Sequence, residues 1–126
     1  MSDKHITVSP LAKTWIFDID GTIVKHNGYK LDGRDTLLSG ALEFLMSIPK
    51  EDKIIFLTSR TEAEKELTLR FLEDNGIRYD DIIWNAPYGE RILVNDQKPS
   101  GLCTAIAVSP PRDCFMDEVF EVDPKL

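Results

Sequence analysis

Three short apolar runs in this chain each end on a polar residue able to do chemistry, and helical patterns separate the first two. Thr14-Trp15-Ile16-Phe17 runs into Asp18, and Lys53-Ile54-Ile55-Phe56-Leu57 runs into Thr58. Arg91-Ile92-Leu93-Val94 runs into Asn95-Asp96. Apolar runs alternating with helical patterns mark βαβ units and a parallel sheet. In open parallel sheets the carboxyl ends of the strands border the ligand crevice. Asp18, Thr58 and Asp96 are therefore expected to converge in space, although about 40 residues separate each from the next.

The remaining elements follow from periodicity and punctuation. A polar loop is expected from Lys25 to about Gly33, then a helix over Asp35 to Ser47, with Leu38, Leu42 and Leu45 forming its apolar stripe. Thr61 reads as an N-cap whose capping box closes on Glu64. That helix should run to about Asn75, with Ala63, Leu67 and Phe71 on one face and Gly76 just past its end. Further strands are expected at Asp81–Trp84, Arg91–Val94 and Thr104–Val108, with a last strand or helical turn within Phe115 to Val122. The sheet then has about five strands. One junction fits poorly. Only six residues, Asn85 to Glu90, separate Trp84 from Arg91, whereas a parallel crossover takes about a dozen. Either the third strand lies elsewhere, or the segment is a hairpin or a shortened crossover.

Composition bounds the rest. The 126 residues suit one domain, 1–126, with no internal boundary, repeat or low-complexity tract. Hydrophobic residues make up 42% and charged residues 29%, which argues against disorder. The net charge of −7 repels polyanions at long range, so no nucleic-acid partner is expected. A small anionic substrate remains compatible, because one cation and a few basic groups reverse the field inside a cleft. Cys103 and Cys114 form no CxxC pair and read as reduced thiols. No apolar run reaches membrane-spanning length, and the N-terminus lacks a signal-peptide core, so a cytoplasmic location is expected.

Asp18 and Asp20 carry the chemistry. They stand two apart at a strand end, followed by Gly21, which permits a sharp turn. Carboxylates this close repel, which favours a shared cation or a raised pKa on one of them. One can then act as nucleophile and the other as general acid. On the spacing alone an acidic turn is the better reading. An EF-hand loop is excluded: counting from Asp18, glycine falls at the fourth position and Tyr29 at the twelfth. Thr58, beside Ser59 and Arg60 and ahead of a helix N-terminus, suits a phosphate cradle. Asp96 adds a third carboxylate, although Asn95-Asp96 also reads as a turn starter.

Taken in series, WIFDIDGT, IIFLTSR and ILVND resemble the motifs of the haloacid dehalogenase superfamily of phosphohydrolases. They bracket residues 14–98, about two-thirds of the chain. NDQKPSGLCTAIAV is also similar to small members associated with capsule or surface-sugar synthesis. The resemblance implies a Rossmann-like three-layer sandwich and a Mg²⁺-dependent phosphomonoester hydrolase acting on a small phosphorylated metabolite such as a sugar phosphate. Asp18 would be nucleophile and metal ligand, and Asp20 general acid and base with its carbonyl on the metal. Thr58 would hold the phosphoryl group, Asp96 would bind Mg²⁺, and Gly21 and Thr22 would shape the loop. Ser59 belongs to the same phosphate turn. The cation facing the nucleophile is expected to be Lys98, then Arg91, then Arg60, the last of which is also a substrate contact. No segment is long enough for an inserted cap domain, so the site is open, accepting a bulky substrate or covered by a second copy of the chain. His26, in the loop beside Asp20, is a candidate substrate contact. The alternatives are a non-catalytic module of the same fold or a nucleic-acid 3′-end phosphatase.

Overall fold

The computed structural model describes residues 4–126. Thr14–Phe17 (β2) and Lys53–Leu57 (β3) are built from β-branched and aromatic residues suited to a pleated, covered surface. They pair in parallel with Phe17 opposite Phe56, and Asp81–Ile83 (β4) adds in parallel on the other side of β3 with Ile82 opposite Phe56. The sheet order is therefore β2-β3-β4. Ile54 and Phe56 of the central strand are fully buried. The core around them includes Phe17, Ile19, Ile23, Leu45 and Leu72.

A second, two-stranded parallel sheet joins His5–Val8 (β1) to Val119–Val122 (β5). Strand β1 was not foreseen, and β5 falls within the stretch expected to hold a last element. His5 Nδ1 contacts Glu121 across this pair. Phe120 packs edge-on against Trp15, ring centroids 4.9 Å apart, which ties β5 to β2. The expectation of about five strands in one sheet is thus corrected to three strands and a separate pair.

Three helices follow β2, and each shows how local chemistry sets boundaries. Gly28–Leu31 (α1) is a single turn within the expected loop. The helix expected from Asp35 begins only at Ala41 and runs to Ser47 (α2). Gly40 has φ +88°, outside the right-handed helix, and the preceding residues pair elsewhere. The Lys25 and Leu38 N–H groups donate to the Thr36 and Ile23 carbonyls at 2.9 and 2.8 Å. Glu62–Asp74 (α3) begins as its capping box dictates, with the Thr61 N–H donating to Glu64 Oε1 at 2.9 Å. Gly76 follows at φ +66°. The buried face of α3 holds Thr68 and Leu72, whereas Leu67 is 40% exposed. Of the apolar stripe expected on Ala63, Leu67 and Phe71, Phe71 packs against the core while the other two are exposed, and Thr68 turns inward to a polar partner.

The chain departs most from expectation after β4. Asn85 takes φ +59°, and the Asn85 and Ala86 N–H groups donate to the Arg60 and Thr58 carbonyls at 2.8 and 3.0 Å. These bonds tie the chain across the end of β3, and no crossover follows. Arg91–Val94 and Thr104–Val108 form no strand. Ile92 and Val94 stand 85% and 90% exposed. Cys103 and Cys114 are exposed and unbridged. Among the described residues no helix is long and apolar enough to cross a membrane.

Candidate active site

Because β2 and β3 are parallel, their carboxyl ends lie on one side, and Asp18 and Thr58 follow directly from them. After Asp18 the chain folds back. The Gly21 N–H donates to the Val24 carbonyl at 2.7 Å, and the Ile23 and Val24 N–H groups donate to the Ile19 carbonyl. This hairpin needs φ +79° at Gly21, a left-handed conformation glycine takes without penalty. A side chain there would also crowd Arg112, whose Cγ lies 3.1 Å from the position of a Cβ.

Asp18, Asp20, Gly21 and Thr22 line one small open cleft of about 190 Å³, completed by Pro110 and Arg112. That volume is below the range of drug-sized pockets and suits a compact group. The Asp18 carboxylate is 41% exposed. Its Oδ2 accepts from the Thr22 hydroxyl at 3.2 Å, and Arg91 Nη2 lies 3.9 Å from its Oδ1. Burial raises the Asp18 pKa above the ordinary carboxylate range, and the Thr22 hydrogen bond and the Arg91 charge offset this only in part.

Asp20 is held quite differently. Arg60 Nε donates to its Oδ2 at 2.9 Å and Arg60 Nη2 to its Oδ1 at 2.8 Å. The same guanidinium grips Asp35, with Nη1 on Oδ2 at 3.0 Å and Nη2 on Oδ1 at 2.7 Å. Its last N–H donates to Thr68 Oγ1 at 2.8 Å. All five guanidinium donors are thus used. Burial opposes the Arg60 charge, and the bonds to Asp20 and Asp35 more than compensate, holding its pKa above the usual range. The Tyr29 ring packs 4.5 Å from the guanidinium carbon, a cation–π contact that covers it.

The expected site residues therefore fall into two groups. Asp18, Asp20, Gly21 and Thr22 meet at the cleft, and Arg91 approaches Asp18. Arg91, placed second among the candidate cations, is the one brought there, whereas Lys98 is exposed in a turn closed by the Gly101 N–H on its carbonyl and does not line the cleft. Asp96 is likewise exposed, its carbonyl accepting from the Thr104 hydroxyl, and it does not line the cleft. Without a strand at Arg91–Val94, nothing carries these two residues to the sheet end. Thr58 is fully buried, and its hydroxyl accepts from the Arg60 N–H at 3.1 Å, which braces the turn. Arg60, 3% exposed with every donor engaged, is not a substrate contact. Ser59 between them is half-buried. His26 packs beside Gly21, and its backbone N–H donates to Asp113 Oδ1 at 2.7 Å.

Three contributors had no place in the sequence reading. Asp35 reads there as a helix start, and nothing local marks it as a buried partner of Arg60. Arg112 and Asp113 lie in the tail, where no motif surrounds them. The Asp113 N–H donates to the Gly21 carbonyl at 2.8 Å, so this segment is latched onto the hairpin that carries Asp20.

Among the described residues no three His, Cys, Asp or Glu side chains gather as a metal cage. A Mg²⁺ ion does not need one: it keeps several waters and is held by one or two protein carboxylates plus substrate phosphate. Asp18 has an exposed carboxylate, and the Asp20 carbonyl accepts no hydrogen bond among the described residues. That donor set fits such an ion.

No protein-family model matches the chain, and no curated protein does. Among solved structures, it is similar to a chain in a structure of a Pnkp1/Rnl/Hen1 complex, with 30% identity over 68% of this chain and a TM-score of 0.51. A chain in a structure of the Pnkp1/Rnl/Hen1 RNA repair complex gives 29% identity over 68% and the same score. This chain spans only about a third of either one, 32% and 30%. The likeness is thus to a portion of a larger chain.

Proposed function

We propose that this protein is a Mg²⁺-dependent phosphomonoester hydrolase of the haloacid dehalogenase type, with Asp18 as nucleophile and Asp20 as general acid and base. One observation carries the reading. Two carboxylates, two residues apart at a strand end, line the same small cleft while their surroundings differ sharply: Asp18 is open, and Asp20 is bound to a buried arginine. Two such carboxylates held in unlike environments are suited to different tasks.

The Thr22 hydroxyl occupies Asp18 Oδ2 and so orients Oδ1 as the attacking oxygen. Asp18 Oδ1 attacks phosphorus as the ester P–O bond breaks, and Asp20 gives its proton to the leaving oxygen. Asp20 then takes a proton from water as the water oxygen bonds to phosphorus and the aspartyl-phosphate bond breaks. Mg²⁺, held by the Asp18 carboxylate and the Asp20 carbonyl, would neutralise charge on the phosphoryl oxygens. Arg91 supports the same end from the protein side. Phosphate monoesters hydrolyse so slowly that positioning and charge neutralisation must supply most of the acceleration.

A small phosphorylated metabolite is the first substrate class, in keeping with the small cleft and the net charge of −7. A nucleic-acid 3′ end is the second, supported by the likeness to a chain of an RNA repair complex. Phosphate release from a panel of sugar phosphates, nucleotides and 3′-phosphorylated oligonucleotides, with Mg²⁺, separates the two. Turnover confined to the oligonucleotides moves the protein to the second class. Turnover of none of them, nor of an aryl phosphate, removes the hydrolase reading.

A further inference from the structure

Resting on that reading, we infer that Arg112 is a specificity residue that binds a second anionic group, a carboxylate or a further phosphate, carried by the part of the substrate that leaves. Arg112 is exposed and lines the cleft with Asp18, Asp20, Gly21 and Thr22. Its guanidinium makes no hydrogen bond or ion pair among the described residues. Both carboxylates of the cleft are engaged elsewhere. Asp20 is bound through both oxygens to Arg60, and Asp18 meets Thr22 and, at 3.9 Å, Arg91. The donors of the Arg112 fork are therefore available to a ligand.

An exposed arginine is most often a solvated surface charge. Two features set Arg112 apart. Its backbone is anchored on both sides. Pro110 and Pro111 precede it, each with φ fixed by its ring. The Cys114 N–H donates to the Pro111 carbonyl at 3.1 Å, closing a turn around Arg112. The Asp113 N–H donates to the Gly21 carbonyl at 2.8 Å, and Asp113 Oδ1 accepts from the His26 N–H at 2.7 Å. Just beyond, Phe115 packs against Phe44 with ring centroids 5.6 Å apart. The stem of Arg112 is also seated on the cleft. Its Cγ lies 3.1 Å from where a Cβ on Gly21 would stand, a contact that the bare glycine permits. A guanidinium on a base fixed to the hairpin that carries Asp20 loses less freedom on binding than one on a loose segment.

Position assigns the ligand. The phosphoryl group meets Asp18, on the side that Arg91 approaches. The leaving oxygen takes its proton from Asp20, so the rest of the substrate emerges beside Asp20 and Gly21, where Arg112 stands. At about 190 Å³ the cleft takes a compact group, and the leaving part lies along the rim that Pro110 and Arg112 form. A guanidinium matches the oxygens of a carboxylate or a phosphate bidentately. A neutral leaving group offers it nothing of that strength.

The test uses matched pairs that differ in the second anion. Glycerol 3-phosphate and 3-phosphoglycerate form one pair, and a nucleoside 3′-phosphate and the nucleoside 3′,5′-bisphosphate the other. With Mg²⁺, the wild type should turn over the doubly anionic member of at least one pair with a kcat/KM about tenfold higher or more, chiefly through KM. A preference in the first pair assigns a carboxylate, and in the second a phosphate. Arg112→Gln should bring that ratio to within about twofold of unity while the singly anionic member changes less than about threefold. Arg112→Lys keeps the charge without the fork and should retain part of the preference. Indifference of the wild type in both pairs, or equal losses on both members in Arg112→Gln, overturns the assignment. A binding measurement separates this inference from the hydrolase reading. In calorimetry the wild type should bind 3-phosphonopropionate or 1,3-propanediphosphonate at least about tenfold more tightly than propylphosphonate, and Arg112→Gln should bind all three alike. Equal affinities in the wild type overturn the role of Arg112. Absence of turnover of every phosphate ester alongside that binding preference removes the hydrolase reading instead.

Discussion

Lys53–Leu57 and Arg91–Val94 are apolar runs of similar character with opposite fates. In the first, Ile54 and Phe56 are fully buried, and the strand has β2 on one side and β4 on the other. In the second, Ile92 and Val94 are almost fully exposed and pair with nothing among the described residues. Composition does not separate them; topology does. A strand needs a free edge beside it and a connection long enough to reach that edge. Lys53–Leu57 follows α2 by a short link and drops beside β2. Arg91–Val94 follows a six-residue segment whose first residues are tied back to Thr58 and Arg60, so the chain leaves the sheet instead of crossing it.

That contrast makes ordered predictions. Phe56→Ala in the packed region should cost about 3–5 kcal/mol of unfolding free energy in denaturant titration, whereas Val94→Ala should stay within about 0.5. Equal costs would place both runs in one core. Arg60→Met strips two carboxylates of their cation and should cost about 3–5 kcal/mol in the same assay. A near-neutral result would mean that Asp20 and Asp35 are not held as described. Thr61→Ala removes the α3 cap and should cost about 1 kcal/mol.

The smallest effect is also the most diagnostic. Burial raises the Asp18 pKa, so ionising Asp18 costs more in the folded chain than in the unfolded one. A raised acid pKa contributes stability at low pH, and that contribution is lost as pH rises through the folded value. Asp18→Asn should therefore melt slightly higher than wild type at pH 7, with the gap closing below the ordinary carboxylate range. A lower melting temperature at pH 7 would mean that the charged form is the favoured one.

Much of the fold was legible where local chemistry decides it. The Thr61–Glu64 capping box, the glycine at 76 and the bounds of Lys53–Leu57 follow from rules that span a few residues. The Asp18–Thr22 half of the site was legible for the same reason, since a short hairpin carries all of it. The other half was not. Asp35 meets Arg60 across 25 residues, and Asp113 meets Gly21 across 92. Nothing in the immediate sequence of either acid reveals such a partner. Thr68 illustrates the cost: reading only apolar spacing on α3 hides a buried hydroxyl that serves Arg60. Asp96 was placed at the end of a strand that does not form, and neither it nor Lys98 lines the cleft.

The central claim is that Asp18 attacks phosphorus. Wild-type protein incubated with Mg²⁺ and 4-nitrophenyl phosphate should release phosphate, and Asp18→Asn should reduce kcat by at least about 10³-fold while the variant remains folded at pH 7. Retention of the wild-type rate by Asp18→Asn would contradict the account.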